Sequence, residues 1–267
     1  VEVTYVPVDA HGRVSVEQIA AAIRPDTVLI SVMFGNNEVG TLQPIGEIGA
    51  LARERGIAFH VDAVQALGVV PIRLAELPVD LMSFAGHKIN GPMGIGLLYA
   101  SRRVRLVPLV SGGNQERKRR AGTENVPAIV GFARAVELAV EGMAQRAERC
   151  RQLVEALLGR LGALLPEGTF VLNGHPDLRL PHIVNVSFPG VSSETLLMNL
   201  DLEGIAAASG SACSSGSLEP SHVLQAMGLS DERVRSAVRF SFGYGNVHED
   251  VEIAADRIAT IVRRLRK

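Results

Sequence analysis

Apolar and polar positions along this chain of 267 residues exchange a period of two for a period near 3.6 several times. Residues 1–6, Val-Glu-Val-Thr-Tyr-Val, alternate and predict a strand, and Gly12 leads into a predicted helix over 15–24. Residues 27–34 form an unbroken apolar run, the pattern of a strand buried on both faces. A polar loop bracketed by glycines follows, Gly35-Asn36-Asn37-Glu38-Val39-Gly40. Pro44 opens an amphipathic helix through Arg55 that stops at Gly56, and the next strand, 57–61, ends in Asp62-Ala63-Val64-Gln65. An apolar run from Val79 then ends in the small-residue turn Ala85-Gly86-His87-Lys88, with a glycine-rich turn and a second apolar run, 95–100, behind it. Strand, loop, helix, strand is the rhythm of an α/β fold with a mostly parallel sheet covered by helices.

Residues 106–120 lose all period and are basic. One long helix is predicted from Pro127 to about Leu165, with a break in composition over 159–168. Its apolar face takes Val136, Val140, Met143, Ala147, Cys150, Val154 and Leu157, at alternating fours and threes. Cys150 on that face reads as a small buried apolar residue. Beyond it the pattern turns α+β, with strands over 170–172 and 182–188. A helix over 193–202 follows, capped by Ser192 or Ser193 with Glu194 in its first turn. Next come a short strand 205–208, a Ser/Gly loop 209–217, a helix 219–227, a strand 236–242 and a closing helix 251–265. The expected organisation is a large domain over 1–132 and a smaller α+β domain over 133–267 that carries the Ser/Gly loop.

Composition narrows the classes. A hydrophobic content of 47% supports a large core, and a net charge of −1 gives no global field for nucleic acid or an anionic membrane. Aromatic content is 4% with no Trp, which argues against stacking platforms for single-stranded nucleic acid. The longest apolar runs are strand-sized, so no transmembrane helix is expected, and no signal segment opens the chain. The two cysteines, Cys150 and Cys213, have no CxxC spacing and fit a reducing, cytoplasmic compartment. Because the chain opens on valine in mid-rhythm, an N-terminal portion is expected to precede it.

Ligands of parallel sheets collect where loops leave the carboxyl ends of strands. Asn37, Asp62 and the pair His87-Lys88 stand at three such ends, with Gln65 in the Asp62 turn. A lysine between two buried strands is expected to be poorly hydrated, which lowers its pKa and frees the amine for imine formation. Each residue also has a bland reading. Lys88 would be an ordinary loop lysine, Asp62 an Asx turn, Asn37 a left-handed turn residue, and the basic stretch a solvated loop. Taken together they suit pyridoxal 5'-phosphate, which needs a lysine to form a Schiff base and a carboxylate for its ring nitrogen. Lys88 and Asp62 would supply these, with Gln65 and Asn37 toward the phenolic oxygen.

The motifs His60-Val61-Asp62-Ala63-Val64-Gln65 and Ser83-Phe84-Ala85-Gly86-His87-Lys88, with Gly91-Pro92, resemble the signature of the class V aminotransferase family. More narrowly, three further motifs resemble cysteine desulfurases that supply sulfur for iron–sulfur clusters. These are Ser209-Gly210-Ser211-Ala212-Cys213-Ser214-Ser215, Leu218-Glu219-Pro220-Ser221 and Val238-Arg239-Phe240-Ser241. The resemblance spans the whole chain. It implies a fold-type I pyridoxal-phosphate transferase, incomplete at its N-terminus, acting on L-cysteine as a homodimer and passing sulfur to acceptor proteins such as an iron–sulfur scaffold. It makes Lys88 the Schiff-base lysine and proton shuttle, Asp62 the partner of the pyridine nitrogen, and His87 a phosphate contact. Thr123, in Arg120-Ala121-Gly122-Thr123-Glu124-Asn125, would reach the phosphate of the partner subunit, turning the basic loop into a dimer element. Arg239, with Asn37, would clamp the substrate carboxylate, a task suited to the guanidinium fork. Cys213 would attack as a thiolate, leaving alanine and a Cys213 persulfide, with at most a transient role as an iron–sulfur ligand. Its small polar flanks differ from the apolar run around Cys150.

Two departures from the family pattern matter. Ala85 stands where the family usually has a serine against the phosphate, a loss of one hydrogen bond worth about 1 kcal/mol. The family's chain also begins well before Val1, and the phosphate-binding turn and a ring-stacking histidine would lie in that part. Two other readings remain. Another class V enzyme, such as a selenocysteine lyase, an aminotransferase or an epimerase, explains Lys88 and Asp62 but does not need the loop around Cys213. A truncated, cofactor-free chain would act as a binding partner only.

Overall fold

A computed structural model describes residues 2–210 and 220–266, so Cys213 and the start of the helix expected over 219–227 lie outside the described residues. The elements run α1 (Val16–Ala22), β1 (Leu29–Met33), α2 (Ile45–Glu54), β2 (Ala58–Asp62), β3 (Leu81–Ala85), β4 (Gly96–Ala100), α3 (Gln115–Lys118) and α4 (Val126–Glu141). They continue with α5 (Met143–Leu164), β5 (Val171–Asn173), β6 (Ile183–Ser187), α6 (Ser193–Leu202), α7 (His222–Ala226), α8 (Asp231–Arg235), β7 (Ala237–Ser241) and α9 (His248–Leu265). The backbone forms two compact units. One takes Ile23–Phe34 and Pro44–Met143; the other takes Val1–Ala22, Gly35–Gln43 and Ala144–Lys267. No helix among the described residues is long and apolar enough to cross a membrane.

The unit of Ile23–Phe34 and Pro44–Met143 holds a sheet of order β1-β2-β3-β4, with the first three strands parallel and β4 antiparallel. The α/β expectation of a mostly parallel sheet with helices is met. Phe59, Val61 and Met82 are fully buried, and α2 turns Ile45, Ile48, Gly49 and Ala52 inward. A Cβ at Gly49 would stand 2.5 Å from the Pro78 carbonyl oxygen and 3.0 Å from the Phe59 ring, so the helix lies closer than any side chain allows. Asp80, 2% exposed, fastens the opposite end of the sheet. It accepts the Phe59 N–H at 3.1 Å and the Ser101 hydroxyl at 3.1 Å.

The other unit holds the antiparallel sheet β5-β6-β7. On one face Val184, Val186 and Val238 pack with Leu157, Leu161, Leu196, Leu200, Ile258 and Val262 from α5, α6 and α9. Register places Asn173 opposite Asn185 and Asn185 opposite Arg239, a polar row on the other face. Buried amides must be paired. Asn173 Nδ2 donates to Asn185 Oδ1 at 2.8 Å and to Ser187 Oγ at 2.7 Å, while Arg233 donates to Asn173 Oδ1 at 2.6 Å.

Five sequence expectations need correction. Strand β1 is not buried on both faces: its residues alternate between exposed and half-buried, with Leu29 49% and Met33 38% exposed. Residues 2–6 form no strand; Val3 and Tyr5 are exposed, and alternation without a partner makes no ladder. The long helix over 127–165 is two helices, broken at Gly142. Each half sets its own phase, so α4 buries Ala128, Phe132, Ala135 and Ala139 while Val140 is exposed; α5 buries Ala147, Cys150, Val154 and Leu157 as expected. The strand over 205–208 shrinks to a single bridge, Ala208 to Arg239. A helix not foreseen, α8, starts on Ser230, whose hydroxyl accepts the Arg233 N–H.

The two glycines of α2 separate packing from propensity. Gly49→Ala is expected to destabilise by about 1–3 kcal/mol through overpacking. Gly46→Ala, where a Cβ meets nothing within 4 Å, is expected to stabilise by up to about 1 kcal/mol. Urea midpoints of the two variants check the opposite signs.

Candidate active site

Parallel pairing of β2 with β3 sets Asp62 directly opposite Ser83, so the loops that follow both strands leave the same edge. Asp62 is exposed, and its Oδ1 accepts the Val64 N–H at 3.0 Å, the Asx turn that a strand-end aspartate makes. The Ala63 N–H donates to the Ser83 carbonyl at 3.0 Å and carries the β2 loop, with half-buried Gln65, along the end of β3. Two residues before Asp62, His60 bridges three strands. Its Nδ1 pairs with Ser31 Oγ at 2.8 Å and its Nε2 with Ser83 Oγ at 2.6 Å. Burial holds the His60 pKa below its ordinary value, against the charge of Asp62. A neutral imidazole donates to one of these hydroxyls and accepts from the other.

After β3 the chain makes a 3₁₀ turn, Gly86–Ile89. The Gly86 N–H donates to the Ile95 carbonyl and its own carbonyl accepts the Gly91 N–H, while Asn90 closes the turn at φ 61°. A Cβ at Gly86 would stand 2.9 Å from Ile95 Cγ2 and 3.0 Å from the Pro92 carbonyl oxygen. The backbone is therefore pressed inward at Gly86, and the next two side chains turn outward. His87 and Lys88 are exposed, which corrects the expectation of a poorly hydrated lysine. Helix α4 supports the turn where Gly131 meets the Pro92 ring, an approach of 2.7 Å for a Cβ. Thr123 is exposed in the loop between α3 and α4, and in α3 Glu116, Arg117 and Lys118 all take positive φ.

In the other compact unit the Gly35–Gln43 segment is a closed loop. Asn36 Oδ1 accepts the Glu38 N–H at 2.8 Å and the Val39 N–H at 3.0 Å, and its backbone pairs with Gly40 and Thr41. Asn37 is half-buried and has no left-handed backbone. Its carbonyl accepts Arg239 Nη1 at 2.9 Å, so the two residues expected at the substrate carboxylate are brought together. Arg239 Nε is buried with no hydrogen-bond partner among the described residues, and burial lowers the guanidinium pKa against the charge of Glu38. Sequence reasoning assigned no role to Glu38, His60 or Ser221. For Glu38 the signal was present: a carboxylate between Asn37 and Val39, in a loop with no other charge.

The donor set fits pyridoxal phosphate. A primary amine, a carboxylate and an imidazole project from loops at the carboxyl ends of two adjacent parallel strands, beside the half-buried Gln65 amide, and an amine and a carboxylate are what that cofactor requires. Residue 85 is alanine and offers no hydroxyl, and the Ser83 hydroxyl is paired with His60. Cys150 is buried and its thiol pKa is pushed up by burial, as for an inert structural cysteine. Among the described residues no group of three or more His, Cys, Asp and Glu could hold a metal ion.

Residues 1–253 match the family model described as aminotransferase class-V. The chain is 52% identical to the putative cysteine desulfurase IscS 1 of Bacillus subtilis, over 99% of this chain and 69% of that protein. It is 50% identical to the cysteine desulfurase IscS of Methanosarcina thermophila, over 99% of this chain and 65% of that protein. The solved structure of a NifS-like protein superposes with a TM-score of 0.89 at 37% identity, over 98% of this chain and 68% of that one. The chain thus spans about two thirds of the length of these relatives. With motif, fold and length-wide identity in agreement, this chain belongs to the class-V aminotransferase family and, within it, to the cysteine desulfurases.

Proposed function

We propose that the protein of which this chain is part removes sulfur from L-cysteine with bound pyridoxal phosphate. Lys88 would hold the cofactor covalently and move the proton at the substrate's α-carbon. Asp62 would keep the ring nitrogen protonated, Gln65 and Asn37 would face the phenolic oxygen, and His87 would meet the phosphate. Arg239, with Asn37, would orient the substrate by its carboxylate. When bound, the cofactor supplies an electron sink for cleavage next to the α-carbon. The observation that carries this reading is the shared edge of β2 and β3, which sends Asp62 and the Lys88 turn out side by side.

Cys213 would take the sulfur. L-cysteine and the Cys213 thiol give L-alanine and a Cys213 persulfide, so the substrate's C–S bond breaks, an S–S bond forms and the proton count is unchanged. The persulfide then passes to an acceptor thiol, such as that of an iron–sulfur scaffold. We also propose that the enzyme is a cytoplasmic homodimer in which Thr123 reaches the partner's cofactor phosphate, with 1–132 in the large domain and 133–267 in the small one. The identity to IscS proteins supports this reading over the other class V activities.

Two substitutions test the roles separately. Lys88→Ala is expected to abolish the visible absorption of lysine-bound cofactor and to cut sulfide release at least a hundredfold; a retained band would refute the assignment. Cys213→Ser is expected to keep that band and release no sulfide from L-cysteine. Unchanged release would move the chain to a different class V reaction.

A further inference from the structure

Glu38 is 2% exposed, and a buried carboxylate is costly unless it is hydrogen-bonded. Its partner is the Ser221 hydroxyl, which donates to Oε2 at 2.5 Å, a separation in the range of charge-assisted O–H···O⁻ bonds. The two residues are far apart in sequence but lie in one compact unit. The Glu38 backbone is pinned as well: its N–H donates to Asn36 Oδ1 and its carbonyl accepts Asn185 Nδ2 at 3.2 Å. Next along the chain toward the N-terminus, the Asn37 carbonyl is the acceptor for Arg239 Nη1. Arg239 is held at its own backbone by paired bonds to Ala208, and its buried Nε finds no partner among the described residues. The aim of the guanidinium therefore depends on where the Asn37 carbonyl is kept.

We infer that the Ser221–Glu38 pair is a positioning device for Arg239: it locks the Asn36–Glu38 segment, so that Asn37 holds one arm of the guanidinium and the rest stays aimed at the substrate carboxylate. The inference rests on the reading of Arg239 as the carboxylate-binding residue. Ser221 also caps α7 by accepting the Leu224 N–H, so a useful variant must lose the bond to Glu38 without losing the helix start. Glycine is tolerated at a helix N-cap almost as well as serine, and threonine keeps the hydroxyl.

The experiment compares Ser221→Gly, Ser221→Thr and Arg239→Lys holoenzymes with L-cysteine as substrate, following KM, kcat, cofactor absorption and melting temperature. Ser221→Gly is expected to raise KM about tenfold with kcat within twofold and cofactor absorption unchanged. Ser221→Thr is expected to return KM to within threefold of the starting protein. If Ser221→Gly does not fold, Glu38→Gln, which leaves the Ser221 cap of α7 in place, is read in its place with the same expected rise. An unchanged KM in the variant that is read overturns the inference, whatever its melting temperature. Arg239→Lys separates the two layers. If it raises KM while the Ser221 variants do not, only the positioning role falls; if it leaves KM unchanged, the carboxylate reading falls too.

Discussion

Much of the unit built on β5, β6 and β7 depends on the obligation to pair the polar row across its sheet. Asn173, Asn185 and Arg239 sit opposite one another by register. An unpaired buried amide costs about 1–3 kcal/mol. Asn173 is satisfied by Asn185, Ser187 and Arg233, and the remaining donor of Asn185 goes to the Glu38 carbonyl. The sheet thereby fixes a loop from a distant part of the sequence. Once that loop is fixed, its Asn37 carbonyl takes an arm of Arg239 and its Glu38 carboxylate takes Ser221. The apolar face explains why the unit folds, and the polar face explains why its arginine has a defined direction.

In the unit built on β1 to β4 the corresponding constraint is parallel pairing. Parallel strands cannot be joined by a tight hairpin, so consecutive loops leave from one edge. Asp62 and the Gly86–Ile89 turn are neighbours for that reason. Close approach at Gly86 decides which side chains face out, and His60 ties Ser31 to Ser83 behind them. Chemistry is thus exposed on a frame whose own polar groups are already paired.

Much of this was legible from the chain alone. The apolar run before Asn36, the strand ending at Asp62 and the Gly-His-Lys turn marked the strands of the parallel sheet and the edge their loops leave, although the first run is not buried on both faces as its composition suggested. The break at Gly142 was less legible, since a single glycine inside a helical pattern is usually tolerated. Alternation over 1–6 misled because a strand also needs a partner, which no local pattern reveals. The exposure of Lys88 follows from contacts of Gly86 with Pro92 and Ile95, which depend on how the turn folds back. Glu38 and Ser221 could not be paired from sequence because their bond is tertiary.

What joins the two halves of the chemistry is the fate of the substrate's sulfur. The most direct measurement is a single incubation of the holoenzyme with L-cysteine and no added reductant, with alanine and protein-bound persulfide quantified together. Equal amounts of alanine and of persulfide located on Cys213 are expected. Alanine without persulfide on Cys213, or sulfide with pyruvate in place of alanine, would contradict the assignment of lysine, arginine and cysteine to one desulfuration.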